Sequence, residues 1–166
     1  MKLTMHHASA TRFAAMLRNL ATILDKAEAY AAARKIDPAA LTGFRLYPDM
    51  FPLTRQVQIA CDTAKGAVAR LAGVEIPKHE DTESSFAELK SRIAKTLEFI
   101  ASVPAAKMDG ADEREVTIRP RGQDVTMSGL QYLLAVATPN FYFHLATAYN
   151  ILRHNGVELG KKDFLG

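Results

Sequence analysis

The feature that most constrains the fold is the stretch from Ser128 to Gly156, whose spacing is that of one long amphipathic helix. Ser128 and Gln131 stand at the capping-box spacing, which predicts a helix start. Gly156 supplies the left-handed residue that commonly ends a helix. Apolar residues recur at steps of three and four, which predicts one buried face: Leu130, Leu134, Ala137, Phe141, His144, Ala148 and Ile151.

Two residues interrupt this pattern and draw attention to its centre. Pro139 lacks a backbone donor and crowds the preceding turn, so we expect a kink. Asn140 and His144 are four residues apart and share a helix face. They resemble a His-x-x-x-His metal-binding pair that has lost its first histidine. A lone inward histidine is more often a hydrogen-bonded core residue than a metal ligand, so both interpretations stay open.

Three further amphipathic helices precede this one. They are predicted from Thr4 to about Arg34, from a cap at Asp49 to about Ala72, and from a capping box at Ser85 and Glu88 to Pro104. The alternating segments 116–118 and 125–127 predict a small β-hairpin between the third and fourth helices. The sequence therefore predicts an all-α protein, a four-helix bundle with one hairpin, in a single domain over residues 1–166.

The connection 36–52 is unusually apolar for a solvent loop. Such residues would be costly to expose together, so the segment is expected to cover the helix ends, a pocket or a dimer surface. These alternatives remain open.

Composition excludes several classes of function. No apolar run approaches the roughly 20 residues of a membrane span, and the start of the chain lacks the apolar region of a signal peptide; we therefore expect a cytoplasmic protein that contacts no membrane. The net charge is +3, but Lys and Arg are scattered among acidic residues, so no nucleic-acid partner is predicted. The single cysteine, Cys61, cannot form an internal disulfide.

The sequence also resembles a known family. The segments that carry the resemblance are Asp49-Met-Phe-Pro-Leu-Thr-Arg-Gln-Val-Gln58, Phe86-Ala-Glu-Leu-Lys-Ser-Arg-Ile93, Asn140-Phe-Tyr-Phe-His144, Ala148-Tyr-Asn-Ile-Leu-Arg-His-Asn-Gly156 and Lys162-Asp-Phe-Leu165. They are similar to the DinB/YfiT-like superfamily of metal-dependent four-helix-bundle proteins. Within it, the chain resembles a bacterial branch known only as a domain of unknown function.

The resemblance implies a homodimer. It also implies a site where three histidines hold a divalent metal, one from the second helix and two from the last. The metal in such a site activates water or a thiol. On this alignment the three positions are Gln58, Asn140 and His144. Neutral amides are poor ligands for zinc, nickel or iron(II). The resemblance thus implies a degenerate metal site.

Two hypotheses follow. In the first, the protein has no cofactor, and a polar pocket binds a small ligand or serves only the structure of a non-catalytic homodimer; its residues are Gln58, Asp62, Asn140, Tyr142 and His144. In the second, Asp62 replaces the missing histidine and, with His144, holds zinc or nickel for a hydrolase or thiol-transferase reaction.

Overall fold

A computed structural model describes residues 3–166, which are mostly helical with one small antiparallel hairpin. The helices and strands follow in this order: α1 (Arg12–Arg34), α2 (Pro38–Thr42), α3 (Leu53–Ala72), α4 (Phe86–Ser102), β1 (Glu115–Ile118), β2 (Val125–Ser128), α5 (Gly129–Tyr132), α6 (Thr138–His154) and α7 (Lys161–Leu165). A π-helical turn, His7–Thr11, precedes α1, and a second, Leu133–Ala137, joins α5 to α6 without a break. Among residues 3–166, no helix is both long and apolar enough to cross a membrane.

The first helix has the buried face that its spacing predicts, with Phe13, Leu17, Leu20, Leu24, Ala27 and Ala31 all in the core. It ends at Lys35, which takes the left-handed conformation. α1 packs on α4 and α7. Its solvent face pairs Asp25 and Glu28 with Lys90 of α4.

Helix α3, the second of the four helices predicted from the sequence, is the central element, because it packs on both α4 and α6. It begins at Leu53 after Pro52, so the expected cap at Asp49 is wrong. Residues 48–50 instead turn, since the N–H of Met50 bonds the carbonyl oxygen of Tyr47. α4 starts as predicted, with the reciprocal capping box of Ser85 and Glu88.

The last helix starts at the predicted capping box of Ser128 and Gln131. In its first turns, however, the residues that face the core are not the ones that the spacing predicts. Leu130 and Leu134, expected in the core, are 44% and 61% exposed. The second π-helical turn inserts one extra residue, which shifts the residues before it by about 100° around the axis. Tyr132 and Leu133 are buried in their place.

The π-helical turn lies directly before Pro139. In it, the N–H of Thr138 bonds the carbonyl oxygen of Leu133, five residues back. Prolines and π-helical turns are both known interruptions of the regular α-helical hydrogen-bond pattern. The helix continues past Pro139 to His154, and Gly156 follows with a positive φ of 90°.

The apolar connection between α1 and α3 divides into two parts. Leu41 is buried, and Phe44 packs against the core with its ring 5.7 Å from that of His154. Tyr47 and Phe51 remain largely exposed. The connection thus covers one end of the helices and leaves part of its apolar surface in solvent.

A substitution of Gly129 tests how closely the start of the last helix packs on the segment before the hairpin. A Cβ atom there would lie 1.9 Å from the carbonyl oxygen of Ala111, a backbone atom that cannot swing away. Gly129→Ala should lower the free energy of unfolding by about 1–3 kcal/mol or more, because the overlap must be relieved by backbone movement. Denaturant titration measures this loss.

Gly160→Ala is the control, because its Cβ would meet only an Asp163 carboxylate oxygen at an ordinary 3.9 Å. Equal stability of the two variants would contradict the packing described for Gly129.

Candidate functional site

His144 lies in a buried hydrogen-bonded pair between α6 and α3. Its Nδ1 atom is 2.7 Å from the side-chain oxygen of Gln56. The Gln56 amide nitrogen donates to the Phe51 carbonyl oxygen at 2.9 Å, which fixes the orientation of the amide. The oxygen that faces His144 can only accept, so Nδ1 carries the proton and donates. Nε2 therefore keeps its lone pair.

The surroundings of His144 favour its neutral form. The side chain is only 8% exposed. Burial lowers the pKa of His144, and the positive charge of Arg55 lowers it further. The folded protein therefore binds this proton less readily than the unfolded chain does, and stability falls as the pH drops below about 6.5.

Asn140 makes the second polar contact between these helices. Its amide nitrogen donates to the hydroxyl oxygen of Thr63 at 2.8 Å. Gln56 and Thr63 are seven residues apart and hence lie on one face of α3. Asn140 and His144 are thus joined separately to two points of that face.

Gln58 and Asp62 take part in a different set of contacts. The Gln58 amide nitrogen donates to Glu83 at 2.9 Å, and its oxygen accepts from Arg55 at 3.2 Å. An oxygen of Asp62 lies 2.8 Å from Nη2 of Arg92 and 2.9 Å from Nζ of Lys65. These partners come from α3 itself, from the connection that follows it and, through Arg92, from α4.

Arg92 is the centre of this second set, and it is 1% exposed. Its Nη2 atom is 2.9 Å from Asp81, and its Nη1 atom is 3.0 Å from Glu83. Nη1 also donates to the carbonyl oxygen of Glu80 at 3.1 Å. We call Arg92 with Asp62, Asp81 and Glu83 the Arg92 cluster; it ties α3, α4 and the connection between them.

The pKa values of Arg92 and Glu83 show that the cluster favours the charged form of both groups. Burial by itself would lower the pKa of Arg92, but the hydrogen bond to Glu83 and the charge of Asp62 outweigh it and raise the value. Burial would raise the pKa of Glu83, but hydrogen bonds from Gln58 and Arg92 hold it below its usual range. Arg92 and Glu83 are therefore both ionised near neutral pH.

The predicted site residues thus fall into two groups. Gln58 is rotated about 200° from Gln56 around α3, because successive residues turn by about 100°. Gln58 bonds Glu83 of the Arg92 cluster and Asp62 belongs to that cluster, whereas Asn140 and His144 bond a different face of α3. The ring of Tyr142 packs edge-on to that of Phe141, with centroids 5.4 Å apart.

The residues that sequence reasoning missed include Gln56, Thr63 and Arg92. One signal was present for Gln56: it follows Leu53 by three positions and precedes Ala60 by four, so it stands on the apolar stripe of its helix. A polar residue at such a position is a candidate for a buried hydrogen bond. The partners of Arg92 lie 9 to 30 residues away, and spacing carries no signal for them.

The donor set does not fit a divalent metal. Within residues 3–166, no three His, Cys, Asp or Glu side chains are grouped so that they could hold one. The carboxylate of Asp62 is engaged by two cationic side chains, and the amides of Gln56 and Asn140 are neutral. Cys61 is also unsuited to nucleophilic chemistry, because burial raises its pKa to about 12.

Replacing Arg92 tests the importance of the cluster. Arg92→Met should lower the free energy of unfolding by about 3 kcal/mol, because it leaves the shielded carboxylate of Glu83 without its cation. Chemical denaturation measures the change. Arg119→Met, which breaks the solvent-exposed pair with Asp124, should leave stability unchanged. Similar losses in both variants would contradict a special role for the buried cation.

Comparison with known proteins places the chain in a family. The family model of a domain of unknown function, DUF1993, matches residues 5–165. The crystal structure of a DinB family member protein from Shewanella denitrificans is similar over 97% of this chain and 91% of that chain, with 47% sequence identity and a TM-score of 0.92. A search of curated proteins finds no match. The chain therefore belongs to the DUF1993 family, a DinB-like family of unknown function.

Proposed function

We propose that this protein is a non-catalytic, cytoplasmic member of its family, a single DinB-like four-helix-bundle domain whose metal site has degenerated into a structural one. The bundle consists of α1, α3, α4 and the continuous α5–α6 segment. The observation that carries the proposal is that His144 meets only neutral partners on α3 and α6. Gln56 lies 2.7 Å from its Nδ1 atom, and Asn140, which the family resemblance places at a second metal position, is an amide that bonds Thr63.

The chemistry of the neighbouring side chains supports this proposal. A metal-binding histidine commonly donates its other ring N–H to an oxygen, as His144 does to Gln56, but it also needs partner ligands at the metal. Here the neighbouring residue on α6 is Asn140, which bonds Thr63. The polar groups therefore join α6 to α3, and each buried hydrogen bond contributes about 1 kcal/mol to stability.

The alternative is a divalent-metal-dependent hydrolase or thiol transferase that uses His144 and Asp62. It would require Asp62 to leave Arg92 and Lys65 and to turn toward the other face of α3. Breaking a shielded ion pair in this way is costly, since it leaves Arg92 without one of its carboxylates. We therefore favour the non-catalytic function.

Metal retention tests the two functions directly. The untagged protein is incubated separately with nickel, zinc, manganese and iron(II), dialysed, and measured by elemental analysis and thermal melting with and without chelator. The proposal predicts substoichiometric metal and a chelator-independent melting temperature. His144→Gln should keep the fold and lose about 1–2 kcal/mol of stability, because the amide is a poorer fit to the Gln56 oxygen.

His7→Gln provides the control, because His7 is exposed. One metal per chain that is lost in His144→Gln and kept in His7→Gln would overturn the non-catalytic proposal and favour the enzyme.

We further propose that the protein is a homodimer. Support comes from exposed apolar side chains on two elements next to the His144 pair. Phe51 supplies the carbonyl oxygen that holds Gln56, and the ring of Phe143 lies 5.1 Å from that of His144. Both are largely exposed, as is Tyr47 in the same connection. Clusters of this kind mark interaction surfaces more often than isolated apolar residues do.

The double variant Phe51→Ser/Phe143→Ser tests the dimer. Light scattering after size-exclusion chromatography should give twice the chain mass for the wild type and the single-chain mass for the variant. Leu165→Ser is the control, because Leu165 is similarly exposed but lies in α7. A monomeric wild type at micromolar concentration would contradict the dimer.

A further inference from the structure

A second site candidate lies at the other end of the last helix. A cleft of about 560 Å³ opens between residues 3–8, which precede α1, the segment 108–112 and the α5–α6 segment. Its walls are mainly apolar and include Met5, Ala8, Met108, Leu130, Leu133 and Leu134. Leu134 and His144 are ten residues apart, or about 15 Å along the helix axis. The cleft is therefore separate from the His144 pair.

The cleft exposes apolar side chains that the helix spacing would have buried. Leu130 and Leu134 point outward because the second π-helical turn rotates them from the core-facing stripe. Leu3, which also lines the cleft, is exposed as well. Single exposed leucines are ordinary, but three around one cavity are a feature of binding surfaces.

Both π-helical turns of the described chain contribute to the walls. The first, His7–Thr11, includes Ala8, and the second includes Leu133 and Leu134. Single π-helical turns are rare and occur frequently at functional sites. Their meeting at one cavity is a second observation, independent of its apolar lining.

The polar part of the lining is acidic. Asp109 and Asp112 line the cleft, and both are exposed. No ion pair joins either carboxylate to a cationic side chain among residues 3–166. Two carboxylates beside an apolar cavity repel anions and attract cations, although the whole chain carries a net charge of +3.

We propose that this cleft binds a small amphipathic ammonium compound. Its apolar body lies against the leucines and methionines, and its ammonium group donates hydrogen bonds to Asp109 and Asp112. The cavity volume is within the range of roughly 300–1,000 Å³ that is usual for small-molecule sites. This inference is independent of the proposed function, because none of its residues belongs to the His144 pair or to the Arg92 cluster.

Three probes with the same ten-carbon chain test the proposal by calorimetric titration at pH 7: decylammonium, decanoate and decanol. Decylammonium should bind one per chain and at least tenfold more tightly than decanoate. Equal affinity for decylammonium and decanoate, or binding of none of the probes, would overturn the proposal.

Two variants locate the binding. Asp109→Asn/Asp112→Asn should weaken decylammonium binding at least tenfold and remove its advantage over decanol, whereas Glu113→Gln, an exposed carboxylate outside the cleft lining, should not. Leu134→Gln should weaken all binding, and the exposed Leu165→Gln should not. Unchanged affinity in both cleft variants would overturn the assignment of the site.

Methionine methyl signals provide a readout that needs no variant. In methyl-labelled protein, decylammonium should shift the signals of Met5 and Met108, which line the cleft, and leave that of Met16, which is in the core. Unshifted Met5 and Met108 signals would overturn the proposal. A second outcome would also overturn the proposal. If the wild type binds no probe and Leu134→Gln changes the oligomeric state, a second copy of the chain occupies the cleft.

Discussion

The guanidinium of Arg92 fixes how the central helix is placed. A buried cation is costly unless it is paired, and the terminal nitrogens of Arg92 contact Asp62 on α3 and both Asp81 and Glu83 on the connection before α4. Its Nε atom is buried without a hydrogen-bond partner among residues 3–166. These ion pairs hold α3 and α4 together through charge as well as through apolar packing. They also set which side of α3 faces α4, and therefore which side remains for α6.

The chemistry of the His144 pair depends on this orientation. With Gln58 and Asp62 committed to the Arg92 side, the α3 face that meets α6 offers Gln56 and Thr63. These are neutral hydrogen-bonding groups, which suit a neutral imidazole in a buried position and are poor metal ligands. The charged partners of Gln58 and Asp62 thus lie on one face of α3, and the neutral partners of His144 and Asn140 on another.

Local patterns predicted much of the fold. The capping boxes at Ser85 and Ser128, the buried stripe of α1 and the left-handed Gly156 depend only on neighbouring residues, and all are present. The phase of the last helix could not be predicted, because one inserted residue in the π-helical turn rotates Leu130 and Leu134 outward.

The site was predicted less completely than the fold. His144 and Asn140 both bond α3, but the residue that meets His144 is Gln56, two residues before Gln58, the α3 position that the family resemblance implies for the metal site. Periodicity identifies a helix face without fixing how far two helices are offset along their axes. The Arg92 cluster was missed for the same kind of reason, since its contacts join residues far apart in the chain.

The central claim is that the polar contacts of His144 hold α3 and α6 together. Determining the tautomer of the His144 ring tests this claim most directly. Nitrogen-15 spectra of the labelled protein at pH 7, with the His144 signals assigned from their loss in His144→Gln, report which nitrogen carries the proton. We expect a proton on Nδ1, donated to Gln56, and ring-nitrogen signals that do not change when zinc is added. A proton on Nε2, or a shift of the ring nitrogens with one equivalent of zinc, would contradict it.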